Sequence, residues 1–450
     1  MAQAAQFGLS SLAMRFALFL VVGEAAAPPG VGPFGSVVLA QPVTGADRGI
    51  DPDGWTKGKL CKATDFGAEP NSGKGCTEAL QAAIDACGDL AEGGTVLLQE
   101  GSFRSGSLWL RSNLTFRVEA DAVLLGADHV SDAPMTYTRR ECVMMDAHAG
   151  LLNGARCVKK KEPLVGWDDC EKWSTLENVV IEGGGTIDGN GEHWLTKGRD
   201  RPMLLDLLWI DGLTIRDLKI RRPGFWTVHP TFCNNVRVTG LDVYTRGKNT
   251  DGIDPDSVWN MYLANNTFDN GDDCIAIKSG RDWSGIMVNI STSNILAERN
   301  VFRAGHGVSI GSETSGWVTN VTIRDSILQG TQRAVRIKSC RGRGGGVDSV
   351  LYQNLQGSAG EAISLTLDYS KVAPTNITAT PVIRNIAIRD LRIEASESFM
   401  DCTGLDDSVI TGVAMRNVTV LNEKKQGCGF CKVQASDVTP TPCGSHSIWI

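Results

Sequence analysis

Four short segments in the middle of the chain carry carboxylate, imidazole and cationic side chains beside short apolar segments. They read Asn249-Thr-Asp251, Gly271-Asp-Asp273, Gly305-His-Gly307 and Arg336-Ile-Lys338. The neighbouring Ile275-Ala-Ile277 and Val308-Ser-Ile310 alternate as strands do, with the apolar members facing inward. Strands stacked about 4.8 Å apart would gather the polar residues into one patch about 15 Å long.

Three residues of this patch, Asp251, Asp272 and Asp273, are carboxylates whose mutual repulsion would raise the proton affinity of at least one. Glycoside hydrolysis requires a protonated carboxyl beside an ionised one: the first protonates the leaving oxygen, and the second activates water or attacks carbon. Arg336 and Lys338 add fixed positive charge, which would bind the carboxylate of an acidic sugar. The patch therefore predicts hydrolysis of an acidic polysaccharide bound along a groove.

Other uses of these residues stay open at this point. Asp251 and Asp254 could serve as turn caps, although that does not explain Asp272-Asp273, where adjacent like charges cost stability. A Ca²⁺ site would also collect carboxylates. The basic run continues through Arg341-Gly-Arg343. Such a run is usually a solvated turn, but this one follows an outward-facing strand, so we predict that it contacts ligand.

The elements that must position the patch are short β segments that recur after residue 93. Their spacing of about 20 to 35 residues is typical of a stacked solenoid. Gly- and Asn-containing turns separate them, without the helices of βαβ units. Examples are Asn178-Val-Val-Ile-Glu, Leu213-Thr-Ile-Arg-Asp, Asn235-Val-Arg-Val-Thr, Asn320-Val-Thr-Ile-Arg, Asn385-Ile-Ala-Ile-Arg and Asn417-Val-Thr-Val. The pattern predicts an all-β fold, a right-handed parallel β-helix; a Greek-key sandwich fits it less well.

A short amphipathic helix is predicted before the first repeat. Between residues 77 and 90, apolar side chains recur at helical spacing, including Leu80, Ala83 and Ile84. Because a solenoid needs its open end covered, we expect this helix to cap the β-helix.

The N-terminus has the features of a secretory signal. Arg15 precedes an apolar run from Phe16 to Val22 and then small residues, which predicts a signal peptide over 1–27. Residues 28–57 are rich in Pro and Gly and are interpreted as a linker or processed segment, and 58–450 as the β-helix domain. We therefore expect a secreted protein, located in the extracellular space or a cell wall.

Thirteen cysteines are many for a reducing compartment, and several crowd together. We predict that they form disulfides. A zinc site at Cys428-Gly-Phe-Cys431 is the competing interpretation, but no second ligand pair completes it. The crowded groups are Cys402, Cys428, Cys431 and Cys443 near the C-terminus and Cys142, Cys157 and Cys170 in an insertion.

Net charge and hydropathy restrict the partners. The formal net charge of −7 argues against a nucleic-acid partner. After the N-terminal run, no segment reaches the roughly 18 apolar residues of a membrane helix. We expect an acidic polysaccharide as the partner, no nucleic acid or membrane, and a monomer.

The four polar segments, in this order, resemble the signatures of glycoside hydrolase family 28, the polygalacturonases. The histidine signature is complete from Phe302 to Ser312. Upstream, Gly184 to Gly191 and Pro223-Gly-Phe-Trp226 are similar to further coils of the family. The resemblance covers residues 60–450 and is strongest to the exo-acting branch.

This resemblance implies inverting hydrolysis of α-1,4-galacturonosidic bonds in pectic polysaccharide, without metal or cofactor. Asp272 would be the general acid, and His306 would orient or tune it. Asp251 and Asp273 would position and deprotonate the attacking water. The residues implied to contact substrate are Asn249, Lys278, Arg336, Lys338 and Tyr369, of which Arg336 and Lys338 would bind the substrate carboxylate at the leaving-group side.

Two further functions are compatible with the same fold. A Ca²⁺-dependent pectate lyase would eliminate rather than hydrolyse. A non-catalytic β-helix would serve adhesion or carbohydrate binding, although the intact acidic patch argues against it. The segment 129–176, which contains Lys159-Lys-Lys161, departs from the family pattern. If it folds over one end of the groove, it would favour exo action.

Overall fold

The computed structural model describes residues 58–161, 169–197, 200–370, 379–422 and 425–447. The predicted signal peptide (1–27) and linker (28–57) lie outside the described residues. Within the described ranges the chain winds into successive coils whose strands pair in parallel with the coil before and the coil after. Leu213, Val236, Met261, Ile295 and Val321 stack one above another in this way. The predicted right-handed parallel β-helix is confirmed.

The elements follow the chain in a simple order. The helices are α1 (Thr77–Cys87) and α2 (Asp282–Val288), with short 3₁₀ turns at Ala63–Phe66, Val130–Asp132 and Gly191–Trp194. The strands are β1 (Lys59–Lys62), β2 (Gly94–Ser105), β3 (Leu108–Trp109), β4 (Leu114–Gly126), β5 (Met135–Arg140), β6 (Val143–His148), β7 (Leu152–Asn153), β8 (Cys157–Lys160), β9 (Cys170–Trp173), β10 (Leu176–Glu182), β11 (Thr186–Asp188), β12 (Leu205–Leu208), β13 (Ile210–Arg216), β14 (Lys219–Arg221), β15 (Val228–Thr231), β16 (Asn234–Thr239), β17 (Asp242–Tyr244), β18 (Trp259–Ala264), β19 (Thr267–Asp269), β20 (Ile275–Ile277), β21 (Thr292–Glu298), β22 (Val301–Ala304), β23 (Val308–Gly311), β24 (Val318–Lys338), β25 (Gly346–Thr366), β26 (Val382–Thr403), β27 (Ile410–Leu421), β28 (Gln426–Gly429), β29 (Cys431–Thr439) and β30 (Ser445–Ser447).

Asparagines at the strand openings explain how the coils turn. Asn113, Asn178, Asn260, Asn294 and Asn320 all have φ between 54° and 58°. Asn tolerates this left-handed conformation better than most residues. Their amides also bond along the stack: Asn320 Nδ2 donates to Asn294 Oδ1 at 2.7 Å, and Asn294 Nδ2 to Asn260 Oδ1 at 3.1 Å. The turn residue thus ties neighbouring coils together.

The predicted capping helix is confirmed and ends at Cys87 rather than near residue 90. Leu80, Ala83 and Ile84 are buried against the first coil. A disulfide from Cys87 to Cys61 joins the helix to β1. The N-terminal end of the apolar core is therefore covered.

The cysteines form four disulfides among the described residues: Cys61–Cys87, Cys157–Cys170, Cys402–Cys431 and Cys428–Cys443. The predicted disulfide use is confirmed. Zinc binding by Cys428 and Cys431 is ruled out, because each sulfur is bonded to a different cysteine. Cys142, in the insertion group, is buried and has no disulfide partner.

Candidate active site

One sheet of the β-helix brings the predicted site residues together. Its inward-facing residues Ile253, Ile275 and Val308 pair in consecutive coils and are buried. Asp251, Asp273 and His306 each stand two residues before these positions. The parallel register of consecutive coils therefore places three chemical groups side by side at one edge of the sheet, as predicted.

Asp273 is the most heavily paired carboxylate of the site. Ser309 Oγ donates to its Oδ1 at 2.7 Å, Arg336 Nη1 lies 3.0 Å from the same oxygen, and Lys338 Nζ lies 2.7 Å from Oδ2. Burial alone would raise the pKa of Asp273, but Lys338, His306 and Arg336 outweigh it and hold the pKa well below its usual range. Asp273 is therefore a fixed anion.

Asp272 is more accessible, with 16% of its side chain exposed against 2% for Asp273. The backbone N–H groups of Asn249 and Asp273 donate to its two oxygens, each at 3.0 Å. Burial opposes ionisation, but the interaction with His306 and the Asn249 N–H outweigh it and lower the pKa of Asp272. In the free chain this carboxyl is an anion beside a cationic imidazole.

Asp251 is the carboxyl whose proton affinity is raised. Burial first, and then the charge of Asp272, raise the pKa of Asp251 to about 8. The adjacent Asp254 is completely buried, and burial together with Asp251 raises its pKa well above the usual range. The predicted rise in proton affinity is thus present, but burial contributes more to it than the repulsion between carboxylates. It affects Asp251 rather than the predicted acid Asp272.

The predicted substrate contacts fall into two groups. Tyr369 is 47% exposed, and its ring centre lies 5.1 Å from Lys338 Nζ and 5.7 Å from the guanidinium carbon of Arg336. These three residues form one cationic and aromatic surface. Lys278 is buried, as Arg336 and Lys338 are, but its Nζ lies 3.2 Å from Glu313 Oε2. This lysine balances charge inside the protein.

The basic run after Lys338 is paired within the chain. Arg341 bonds to the exposed Asp406 and Asp407. Arg343 bonds to Asp282, and its Nη2 lies 3.4 Å from Glu313 Oε1. Both guanidinium groups therefore pair within the chain, and their contact with ligand stays a prediction.

Asp272, Asp273 and His306 also form a group whose ligand atoms lie within 4.8 Å of one another, close enough to consider a metal. Ca²⁺ requires six to eight oxygen ligands. Both oxygens of Asp273 are already engaged by cations, and the third member of the group offers nitrogen. The donor set does not fit Ca²⁺.

The sequence profile described as Glycosyl hydrolases family 28 matches residues 157–437, well over half of the chain. The chain belongs to glycosyl hydrolase family 28. The predicted family is confirmed, and with it the assignment of the protein as a glycoside hydrolase.

Individual family 28 relatives match over most of their length. A probable polygalacturonase of Vitis vinifera is 29% identical over 410 residues, covering 85% of this chain and 79% of the relative. An endo-polygalacturonase of Pectobacterium carotovorum subsp. carotovorum is 28% identical over 376 residues, covering 77% and 84%. A hyperthermoactive exopolygalacturonase from Thermotoga maritima has a similar fold, with a TM-score of 0.74, 23% identity and coverage of 84% and 91%. These names include both endo and exo action.

Two residues at the site of this family 28 enzyme, Ser309 and Glu313, were not predicted from the sequence. Ser309 faces outward and pairs in register with Arg336 on the next coil. Its position in Val308-Ser-Ile310 is the signal that could have identified it. Glu313 partners Lys278 from a loop after β23, and no spacing pattern points to it.

A hairpin of this family 28 chain, β5–β6, packs on the coil that carries Asp251 and on a coil before it. Arg139 Nε lies 3.0 Å from Asp256 Oδ2, and Thr138 Oγ1 donates to Asp206 Oδ2 at 2.6 Å. Asp206, His229 and Asp256 are polar residues of this sheet, yet all three are buried. Part of the 129–176 insertion therefore covers the N-terminal side of the site.

Among the described residues, α1 and α2 are both too short to cross a membrane, and no longer apolar helix is present.

Proposed function

We propose that this enzyme hydrolyses α-1,4-galacturonosidic bonds in pectic polysaccharide with inversion of configuration. The observation that carries the proposal is the position of two buried cations, Arg336 and Lys338, within 3.0 Å of Asp273, the residue that follows Asp272 in the chain. A galacturonate whose glycosidic oxygen reaches Asp272 would present its carboxylate to these cations. The names of the relatives, which are polygalacturonases, support the same substrate.

In this proposal Asp272 protonates the leaving oxygen and His306 supplies the proton to it. A bound sugar excludes water and its carboxylate offsets the nearby cations; both changes raise the pKa of Asp272. Asp251 and Asp273 hold the attacking water. Asp251, whose pKa is raised, is the stronger base of the two, and it takes the proton of the water once it has lost its own; the pKa of Asp273 is lowered.

The variant Asp272→Asn tests the acid. We expect the catalytic rate on trigalacturonate to fall about a thousandfold, while calorimetric binding of the same trimer is retained. Proton NMR of the wild-type reaction should show the β-anomer first, because the substrate bond is α. Initial formation of the α-anomer, or near-normal turnover by the variant, would contradict the mechanism.

A Ca²⁺-dependent lyase and a non-catalytic adhesin are separated by the same assay. Hydrolysis gives saturated reducing ends and survives a chelator. A lyase would give an ultraviolet-absorbing product and lose activity with the chelator, and an adhesin would bind the polymer without producing either product.

Recognition of the substrate's carboxylate by Lys338 has its own test. Lys338→Ala should weaken binding of trigalacturonate more than binding of its methyl ester, because the ester lacks the charge that Lys338 faces. Equal weakening for both ligands would remove carboxylate recognition from the proposal.

We further propose that the enzyme acts from chain ends, because the β5–β6 hairpin covers the N-terminal side of the site. Wild-type enzyme should release one short product from the first minutes of reaction. Arg139→Met, which removes the hairpin's buried pair with Asp256, should increase internal cleavage, measured as viscosity loss per bond broken. Lys159→Ser, in the exposed β8–β9 hairpin, is the matched control and should not. A broad ladder of early products from the wild type would indicate endo action.

Secretion and a monomeric state complete the proposal. The four disulfides suit an oxidising compartment. Mature protein recovered from culture medium should begin after residue 27 and sediment as a monomer. Retention of the enzyme inside cells would contradict this part.

A further inference from the structure

Arg201 is an almost fully buried arginine, 3% exposed, that bonds to two neighbouring coils. Its Nη1 donates to the carbonyl of Gly224 at 2.9 Å, and its Nη2 donates to the carbonyl of Lys248 at 3.0 Å. Nη2 also lies 3.5 Å from Asn249 Oδ1. One guanidinium thus reaches the turn that leads into Asp251.

The carbonyl of Lys248 and the N–H of Asn249 belong to the same peptide group, and this group is bonded on both sides. Arg201 donates to its carbonyl, while its N–H donates to Oδ2 of Asp272 at 3.0 Å. A peptide group is planar and rigid, so fixing the carbonyl also fixes the direction of the N–H. A cation on the carbonyl also polarises the N–H and strengthens its bond to the carboxylate.

We infer that Arg201 is a positioning residue of the reaction, which orients Asp272 through the Lys248–Asn249 peptide. The inference rests on the proposed role of Asp272 as the acid. Arg201 has no direct bond to Asp272 among the described residues, so it acts on this carboxyl through the peptide, although its charge also interacts with that of Asp251.

An arginine suits this position better than a lysine. Two carbonyl acceptors on different coils require a forked donor of fixed geometry. The guanidinium also stacks over Phe225, with its carbon 4.8 Å from the ring centre. A lysine could keep the charge and bond to one carbonyl, but it could not hold both.

Arg140 is the natural control, because its guanidinium carbon also lies over the Phe225 ring, 4.5 Å from the ring centre. It is also buried, and it bonds to the carbonyl of Arg201. It makes no bond to the Lys248–Asn249 peptide in the described structure. Arg140→Gln and Arg201→Gln therefore remove similar buried cations, only one of which holds the peptide.

The experiment compares Arg201→Gln, Arg201→Lys and Arg140→Gln with the wild type. We expect kcat to fall 10- to 100-fold in Arg201→Gln and about 10-fold in Arg201→Lys, with KM within about threefold. Arg140→Gln should keep kcat within about threefold.

The alkaline limb of the pH profile of kcat should move to higher pH in Arg201→Gln alone, because a weaker hydrogen bond from the Asn249 N–H raises the pKa of Asp272. His306, Asp251 and Asp273, the other groups that act on Asp272, are the same in all variants.

Hydrogen exchange at the Asn249 amide gives a readout that does not require activity. We expect faster exchange in Arg201→Gln than in Arg140→Gln or the wild type. Equal rates, equal kcat losses in both glutamine variants, or an unshifted limb in Arg201→Gln would overturn the inference. If the wild type did not hydrolyse galacturonan, the proposed function would fail, while the exchange result would still decide whether Arg201 holds the peptide. If Arg201→Gln does not fold, Arg201→Lys carries the kinetic test.

Discussion

Nδ1 of His306 lies 3.0 Å from Oδ1 of Asp272 and 3.3 Å from Oδ1 of Asp273, so one imidazole bridges two adjacent carboxylates. Burial would lower the pKa of His306, but its contacts with the two carboxylates raise it to about 9. The imidazole is therefore protonated at neutral pH. It keeps a proton next to the proposed acid and offsets the repulsion between the two aspartates.

The first prediction concerns the pH dependence of stability in His306→Gln. The folded-state pKa of about 9 exceeds the ordinary value of 6.5, so the protonated ring stabilises the fold fully below about pH 6.5. This contribution is lost as the pH rises through about 9. We expect the variant to unfold about 1–3 kcal/mol more easily than wild type at about pH 6 and the difference to shrink by about pH 9.5. Urea unfolding at both pH values measures it. A difference that is constant with pH would mean that folding does not shift the pKa of His306.

The coils could be predicted because each local backbone conformation favours particular residue types, which can be read in the sequence. Asn178 and Asn320 open strands in the left-handed conformation, and the apolar alternation that follows is a direct consequence of the pleat. Once every coil repeats the same path, residues such as Asp251, Asp273 and His306 must come into register. The repeat alone therefore predicted that these residues lie together, without information on side-chain contacts.

What could not be predicted depends on segments that do not repeat. The partner of Lys278, Glu313, comes from a loop, and the hairpin that carries Arg139 comes from an insertion. Likewise, the carboxyl that holds a proton is decided by the deeper burial of Asp251 relative to Asp272. Sequence spacing predicts which groups lie close together, but it does not predict how deeply each group is buried.

The second prediction separates a buried ion pair from an exposed one. Asp273→Asn leaves Arg336 and Lys338 buried without their anion, so we expect a loss of about 3 kcal/mol or more in unfolding free energy. Asp407→Asn removes an exposed partner of Arg341 and should cause no measurable loss. Denaturant unfolding near neutral pH compares the two. Equal stability of both variants would show that Asp273 is not the anion that these cations require.

The third prediction distinguishes the role of Lys278 from that of Lys338. Lys278→Met removes the cation closest to the partly buried Glu313, so it should lower the thermal unfolding temperature while the KM for trigalacturonate changes less than about threefold. Lys338→Ala should raise that KM more strongly, because Lys338 lies beside the exposed Tyr369. If Lys278→Met raised KM as much as Lys338→Ala, the substrate contact expected from sequence would be correct.

The fourth prediction uses two glycines with left-handed backbones. Gly307, next to His306, has φ +78°, and a Cβ there would overlap the carbonyl oxygen of Arg333 on the next coil. Gly330 has φ +95°, but a Cβ there would meet no atom within 4 Å. We expect Gly330→Ala to cost about 1 kcal/mol, from the backbone conformation alone. Gly307→Ala should cost about 1–3 kcal/mol more and also reduce kcat, since the coil that carries His306 must shift. Unfolding and steady-state kinetics measure both effects. Similar costs for the two variants would mean that the spacing between these coils can relax, in which case His306 would not be held as closely against Asp272 as the stacked coils indicate.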